Sequence, residues 1–162
     1  MATIVAGPAS FTVLGIWSQG PGYANDVMRA IEAHGDVLRQ GPAVVMGDLN
    51  VGTRLRGERT PSKGHRRIVD ALTDLGLVSA YHAFHQVDHG RERHATYCHQ
   101  FKAAQSWHID FCFVPASWFD CVVDVKVLAG PRWAKRSDHF PLMVDLCMPE
   151  SDELTCNALP QL

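Results

Sequence analysis

From Trp107 to Phe113 the chain alternates. Trp107, Ile109, Phe111 and Phe113 fall on one side of an extended backbone, and His108, Asp110 and Cys112 on the other. A strand with one wholly apolar face must be covered by another layer. A carboxylate on its second face needs a polar partner there. Three further segments, 94–101, 121–128 and 140–147, read as strands. In the last of them Leu142, Val144 and Leu146 alternate with Met143, Asp145 and Cys147. Earlier, Phe11–Trp17 reads as a strand and Ser18–Tyr23 as a Gly/Pro turn. A helix follows from about Asn25, carrying Val27, Met28, Ile31, Val37 and Leu38 and stopped by Gly41-Pro42. Ala43–Met46 is the pattern of a short buried strand bounded by Gly47, and 51–64 that of a Gly/Arg-rich loop. Helical spacing returns at Ile68, Val69, Leu72 and Leu75, with Gly76 as its C-terminal cap. Helices early and strands late predict a mixed α/β (α+β) layered fold, with 149–162 as a tail.

The remaining bounds are broad. A chain of 162 residues fits one domain with a real core, and 46% hydrophobic against 20% charged residues argues against disorder. A formal charge of −2 excludes a globally basic nucleic-acid binder, so local patches must decide that question. The five cysteines form no C-x-x-C pair, and three in apolar runs read as reduced core thiols. No apolar run approaches a membrane span, and the first eight residues lack the pattern of a signal peptide. The reading is cytoplasmic, with no membrane partner.

Three short motifs could carry chemistry. Gly47-Asp48-Leu49-Asn50 ends an apolar strand with a carboxylate and a carboxamide, hard oxygen donors suited to Mg²⁺ or Mn²⁺ and to positioning a water. Alone, the same four residues more often start and cap a turn. Ser137-Asp138-His139 offers an anion beside an imidazole just before a strand, an arrangement equally common in a solvated turn. His108 and Asp110 share the polar face of their strand, where a carboxylate bonded to an imidazole would fix its tautomer.

Taken in order, Gly-Asp-x-Asn, an aromatic-flanked Ile-Asp-Phe and Ser-Asp-His-x-Pro resemble the endonuclease/exonuclease/phosphatase superfamily, the deoxyribonuclease I-like fold. The spacing is similar too, 62 residues from Asp48 to Asp110 and 28 more to Asp138. Thr96-Tyr97 looks like the Thr-aromatic segment found there. The resemblance covers roughly residues 11–147. It implies a four-layer α/β/β/α sandwich and a metal-dependent phosphoester hydrolase. In that scheme Asp48 activates water, Asn50 orients Asp48, His139 contacts the phosphate, Asp110 orients His139, and Asp138 with Asp48 serves Mg²⁺ or Mn²⁺. The substrate is a phosphoester, nucleic acid among the candidates.

The pattern also departs from that family. Members usually run to about 250 residues or more within one domain, and their first half brings an Asn-ended strand and a Gln-Glu strand whose Glu is the main metal ligand. Neither is found before Asp48, so residues 11–148 read as the C-terminal half, mainly one sheet plus its outer helices. That reading leaves the inner sheet face bare unless a second copy or a partner subunit covers it. It also yields the alternative of a catalytically impaired half-domain that binds phosphorylated ligands or needs a partner's Glu. For phosphate, Arg54, Arg56, His108 and Arg136 are the candidates, with Arg59, Lys63, Arg66, Arg67, Arg132 and Lys135 nearby in sequence. His82, His85, His89, His94 and His99 match no standard zinc spacing, so no structural zinc site is expected. His65 is left unassigned.

Overall fold

The computed structural model describes residues 2–6, 9–55 and 60–147. Strands β1 (Ala2–Ala6) and β2 (Ala9–Trp17) pair antiparallel. Helix α1 (Tyr23–Arg39) then carries the chain back to β3 (Ala43–Arg54), which lies parallel to β2. The spacing that predicts α1 is the face it buries: Val27, Ile31 and Leu38 lie against the sheet. Helix α2 (Lys63–Asp74) begins where Ser62 Oγ accepts the His65 N–H at 3.1 Å, and ends at Leu75 before Gly76, whose φ of 74° only glycine adopts freely. Next come β4 (Leu77–Ser79), α3 (Ala80–His85), β5 (Tyr97–Cys98), β6 (Ser106–Pro115), β7 (Val122–Val127), α4 (Pro131–Ala134) and β8 (Leu142–Leu146).

Six strands form one sheet in the order β1-β2-β3-β6-β4, with β5 on the other end of β6. Strands β7 and β8 make a second, two-stranded sheet. The large sheet has a core on each face. One, under α1 and α2, is built from Leu14, Ile16, Val45, Ile68, Leu72, Phe111 and Phe113. The other is built from Val44, Cys112, Val114, Trp118 and Val125, with Val122, Val127, Leu142, Val144 and Leu146 of the small sheet packed on it. The sequence reading leaves the inner face bare unless a second copy or a partner subunit covers it; in the structure part of that face is covered from within the chain. The β7–β8 hairpin covers part of it, while Met46 and the 71% exposed Trp17 remain outside that cover.

Three elements differ from the sequence reading. Strand β3 runs on through Gly47-Asp48-Leu49-Asn50 to Arg54, because its partner β6 continues beside it; only after Arg54 does the Arg-rich loop leave the sheet. Strand β1 precedes residue 11 and belongs to the same sheet. The segment 94–101 holds only the two-residue β5 and a short 3-10 turn. Of the described cysteines Cys112 is buried, Cys98 and Cys121 are partly covered and Cys147 is exposed. No described helix is long and apolar enough to cross a membrane.

Candidate active site

The site grows from an irregularity between β3 and β6. Their register runs from Val45↔Phe113 to Asp48↔Asp110, then resumes at Thr53↔His108, so five steps along β3 answer two along β6. Asn50, with φ 51°, sits in this bulge. Its backbone N–H donates to Asp48 Oδ1 and its Nδ2 to Asp48 Oδ2, each at 2.9 Å, while Nδ2 also reaches the Ser18 carbonyl at 2.9 Å. The Asp48 carboxylate is thus clamped from both oxygens.

Across the junction, His139 Nδ1 lies 3.0 Å from Asp110 Oδ2 and 3.2 Å from Oδ1. Its Nε2 lies 4.0 Å from Asp48 Oδ2. The imidazole therefore stands between two carboxylates, one holding its back and one facing its front. Thr96, just before β5, fixes this arrangement. Thr96 Oγ1 accepts the N–H groups of both Ile109 and Asp110 at 3.0 Å, and the Thr96 carbonyl accepts the Phe140 N–H at 2.7 Å. Tyr97 lies with its ring centroid 4.6 Å from that of His139.

Two successive N–H groups on one acceptor break the alternation of β6, since a regular strand sends them opposite ways. Ile109 consequently lines a recess of about 150 Å³ beside the site together with Asn50, Tyr97 and Trp107. His108 turns the other way, its ring 5.1 Å from Phe111, fully buried. The expectation that His108 shares a face with Asp110 and touches phosphate is corrected on this ground.

Burial pushes the Asp48 carboxyl above its usual range, and the Asn50 bonds and His139 only partly draw it back. Asp110 is raised by burial as well, with the Asp48 charge adding to it and Thr96 and His139 opposing. Asp138 stands just outside this trio. Its backbone carbonyl accepts the Cys98 N–H at 2.8 Å, and burial, the Asp138 charge and then the Asp48 charge raise the Tyr97 hydroxyl. Arg54 Nη2 donates to the Ala104 carbonyl at 3.1 Å, with its guanidinium 5.5 Å from the Trp107 ring. Arg136 is exposed, two residues before Asp138. Arg56 and Arg59 lie outside the described residues. Arg67 is used elsewhere, tying α2 to α1 through Asn25 at 3.1 Å.

No protein-family model and no curated protein matches the sequence. Solved structures do match. An AP endonuclease from Archaeoglobus fulgidus superposes with a TM-score of 0.63 at 20% identity, over 84% of this chain and 61% of that one. The 3' phosphatase NExo from Neisseria, bound to a product DNA hairpin, gives 0.67 at 18% identity over 90% and 64%. The endonuclease domain of TRAS1, a telomere-specific non-LTR retrotransposon, gives 0.63 at 14% over 89% and 59%. The chain has the deoxyribonuclease I-like fold. It spans about three fifths of the length of these structures. Within that fold, Asp48, Asn50, Asp110 and His139 are gathered at one edge of the large sheet.

Proposed function

We propose that the chain is a metal-dependent phosphoester hydrolase whose substrate is nucleic acid. The observation that carries this reading is the line Asp110–His139–Asp48, an imidazole held by one carboxylate with its far nitrogen facing another across 4.0 Å. Asp110 accepts the Nδ1–H of His139 and so directs Nε2 toward the gap in front of Asp48. Asp48 takes a proton from a water in that gap, for which its raised proton affinity suits it. The water oxygen forms a bond to phosphorus as the bond to the leaving oxygen breaks, and His139 stabilises the charge on the phosphoryl oxygens. No covalent enzyme intermediate is involved.

The donor chemistry fits a hard cation. Asp48 and Asp110 approach as like charges, and among the described residues no lysine or arginine forms an ion pair with either. Asp48 and Asp138 would hold Mg²⁺ or Mn²⁺, which would supply neutralising charge for the phosphoryl group. The recess lined by Asn50, Tyr97, Trp107 and Ile109 offers flat aromatic walls to a sugar or base next to the scissile phosphate. Arg54 beside Trp107, and Arg136, are the basic groups for flanking phosphates.

A second reading is favoured by the small carboxylate count. Among the described residues the metal-capable trio here is Asp48, Asp110 and His139, and one of its carboxylates is engaged by the imidazole. Such a chain would bind phosphorylated ligands but need a carboxylate from a partner to turn over. The test of the first reading is hydrolysis of nicked DNA and of a generic phosphodiester with Mg²⁺ or Mn²⁺. Expected is turnover that falls at least about 10³-fold in the Asp48→Ala, His139→Ala double variant. Turnover unchanged in that variant overturns it, and an inert wild-type protein that still binds oligonucleotide supports the second.

A further inference from the structure

The β7–β8 hairpin is regular at its closed end and irregular at its open one. Toward the connection at 128–141, Val125, Lys126 and Val127 face Val144, Met143 and Leu142 in unbroken register. Toward the open end the register shifts between Val122 and Asp124, Val123 is left 58% exposed, and Asp124 stands opposite Asp145. Like charges directly opposite weaken a strand pair, and Lys126, on the same strand as Asp124, is the cation that offsets them. Yet this hairpin is the cover of the inner face, where Val122, Val125, Val144 and Leu146 pack on the large sheet.

Just past the irregular stretch two cysteines meet. Val122 pairs with Leu146, and the Cys147 N–H donates to the Cys121 carbonyl at 2.9 Å, so Cys121 and Cys147 are the next opposed pair. Val122 and Leu146 turn toward the core, and the neighbouring pair turns outward: Cys147 is exposed and Cys121 only partly covered. Opposed residues joined by a ladder bond stand about 5.5 Å apart at Cα. Disulfides are commonest at Cα separations of about 5.5–6 Å.

We propose that Cys121 and Cys147 are a redox modification site, a dithiol that glutathione disulfide converts to a cross-strand disulfide clasping the open end of the β7–β8 hairpin. Cys147, the exposed member, is the entry point. Its thiolate attacks one sulfur of glutathione disulfide, forming a mixed disulfide and expelling one glutathione thiolate. The Cys121 thiolate then attacks the Cys147 sulfur and expels the second. Two protein thiols lose two electrons and two protons, and one glutathione disulfide becomes two glutathione thiols. Cys112 is not a competitor. It is buried under the hairpin, and burial pushes its thiol up to about 11, which keeps it unreactive at neutral pH. The new bond closes a loop over residues 121–147 and restricts the unfolded chain, so it stabilises the cover of the inner face.

The test is thiol mapping on the full chain. Reduced protein is equilibrated with glutathione disulfide, remaining thiols are alkylated, and the digest is read by mass spectrometry. Expected is one intramolecular link between the Cys121 and Cys147 peptides, with a Tm raised by roughly 5–10 °C and restored by dithiothreitol. Cys121→Ser and Cys147→Ser should each lose the link and the Tm rise, while Cys98→Ser and Cys156→Ser keep both. The Cys121→Ser chain should stop at a glutathione adduct on Cys147. No link at saturating glutathione disulfide overturns the proposal. So does pairing of either cysteine with Cys98, Cys112 or Cys156, a link found only between two chains, or a link that leaves Tm unchanged.

Discussion

Gly47 takes φ 135°, and a Cβ built on it would stand 2.0 Å from the Ile16 carbonyl oxygen. At Gly52 the same atom would meet the His108 carbonyl oxygen at 1.9 Å. Both obstacles are backbone of neighbouring strands, so relief requires the strands to part and the bulge that presents Asp48 and Asn50 to deform. Gly52→Ala should therefore lower stability by about 3 kcal/mol or more, read from chemical denaturation, and reduce turnover even in the folded fraction. A change below about 0.5 kcal/mol would mean that the bulge is not as tight as described. At Asp110 the expected effect is different in kind. Asp110→Asn keeps the shape but removes the negative charge and lets an amide NH2 face His139 Nδ1, which would hold the imidazole in the opposite tautomer. kcat should fall about 10²–10³-fold with KM changed little, and a matched loss in KM alone would show that Asp110 serves binding rather than His139.

At the level of elements, Thr96 joins three segments through one hydroxyl and one carbonyl: its own stretch leading into β5, the part of β6 opposite the β3 bulge, and the turn leading to β8. Thr96→Val preserves the volume and leaves two buried N–H groups without an acceptor. It should cost about 2–3 kcal/mol in urea unfolding and displace the His139 imidazole resonances relative to wild type. An unchanged urea midpoint would contradict the assignment of those bonds. Elements held by local periodicity were readable from residue order. Helices α1 and α2, the Gly76 cap and β8 follow spacing that a sequence displays. Strand β3 could not be read to its end, since Val51-Gly52-Thr53-Arg54 has loop-like composition and is extended only because β6 pairs beyond the bulge. The face of His108 was illegible for the same reason, as strict alternation fails wherever two N–H groups share one acceptor. Asp48, Asn50, Asp110 and His139 could be named beforehand because their motifs are compact. The histidine–glutamate cluster could not, because residues 65, 82, 89 and 92 meet only through the packing of α2 and α3 around Phe111.

For the whole molecule, that cluster makes stability depend on pH. Burial holds His65 and His108 to about 4 and His89 to about 3, against 6.5 when unfolded. Between these values the unfolded chain binds protons that the folded chain refuses. Unfolding therefore takes up protons, and stability rises with pH across that window. The contribution is complete above pH 6.5 and is lost as pH falls toward 4; below about 3 both states are protonated and the loss stops growing. A shift from 6.5 to about 4 corresponds to about 3 kcal/mol for each of the fully buried His65 and His108. The imidazoles repel one another once charged, so their losses reinforce rather than average. The Tm should thus fall continuously as pH is lowered from 6.5 to 4, with the steepest loss near pH 5–6. His108→Gln, which cannot take the proton, should flatten the curve. A Tm independent of pH over that range would mean that the imidazoles reach water in the folded state, and the tight core around Phe111 would have to be redrawn.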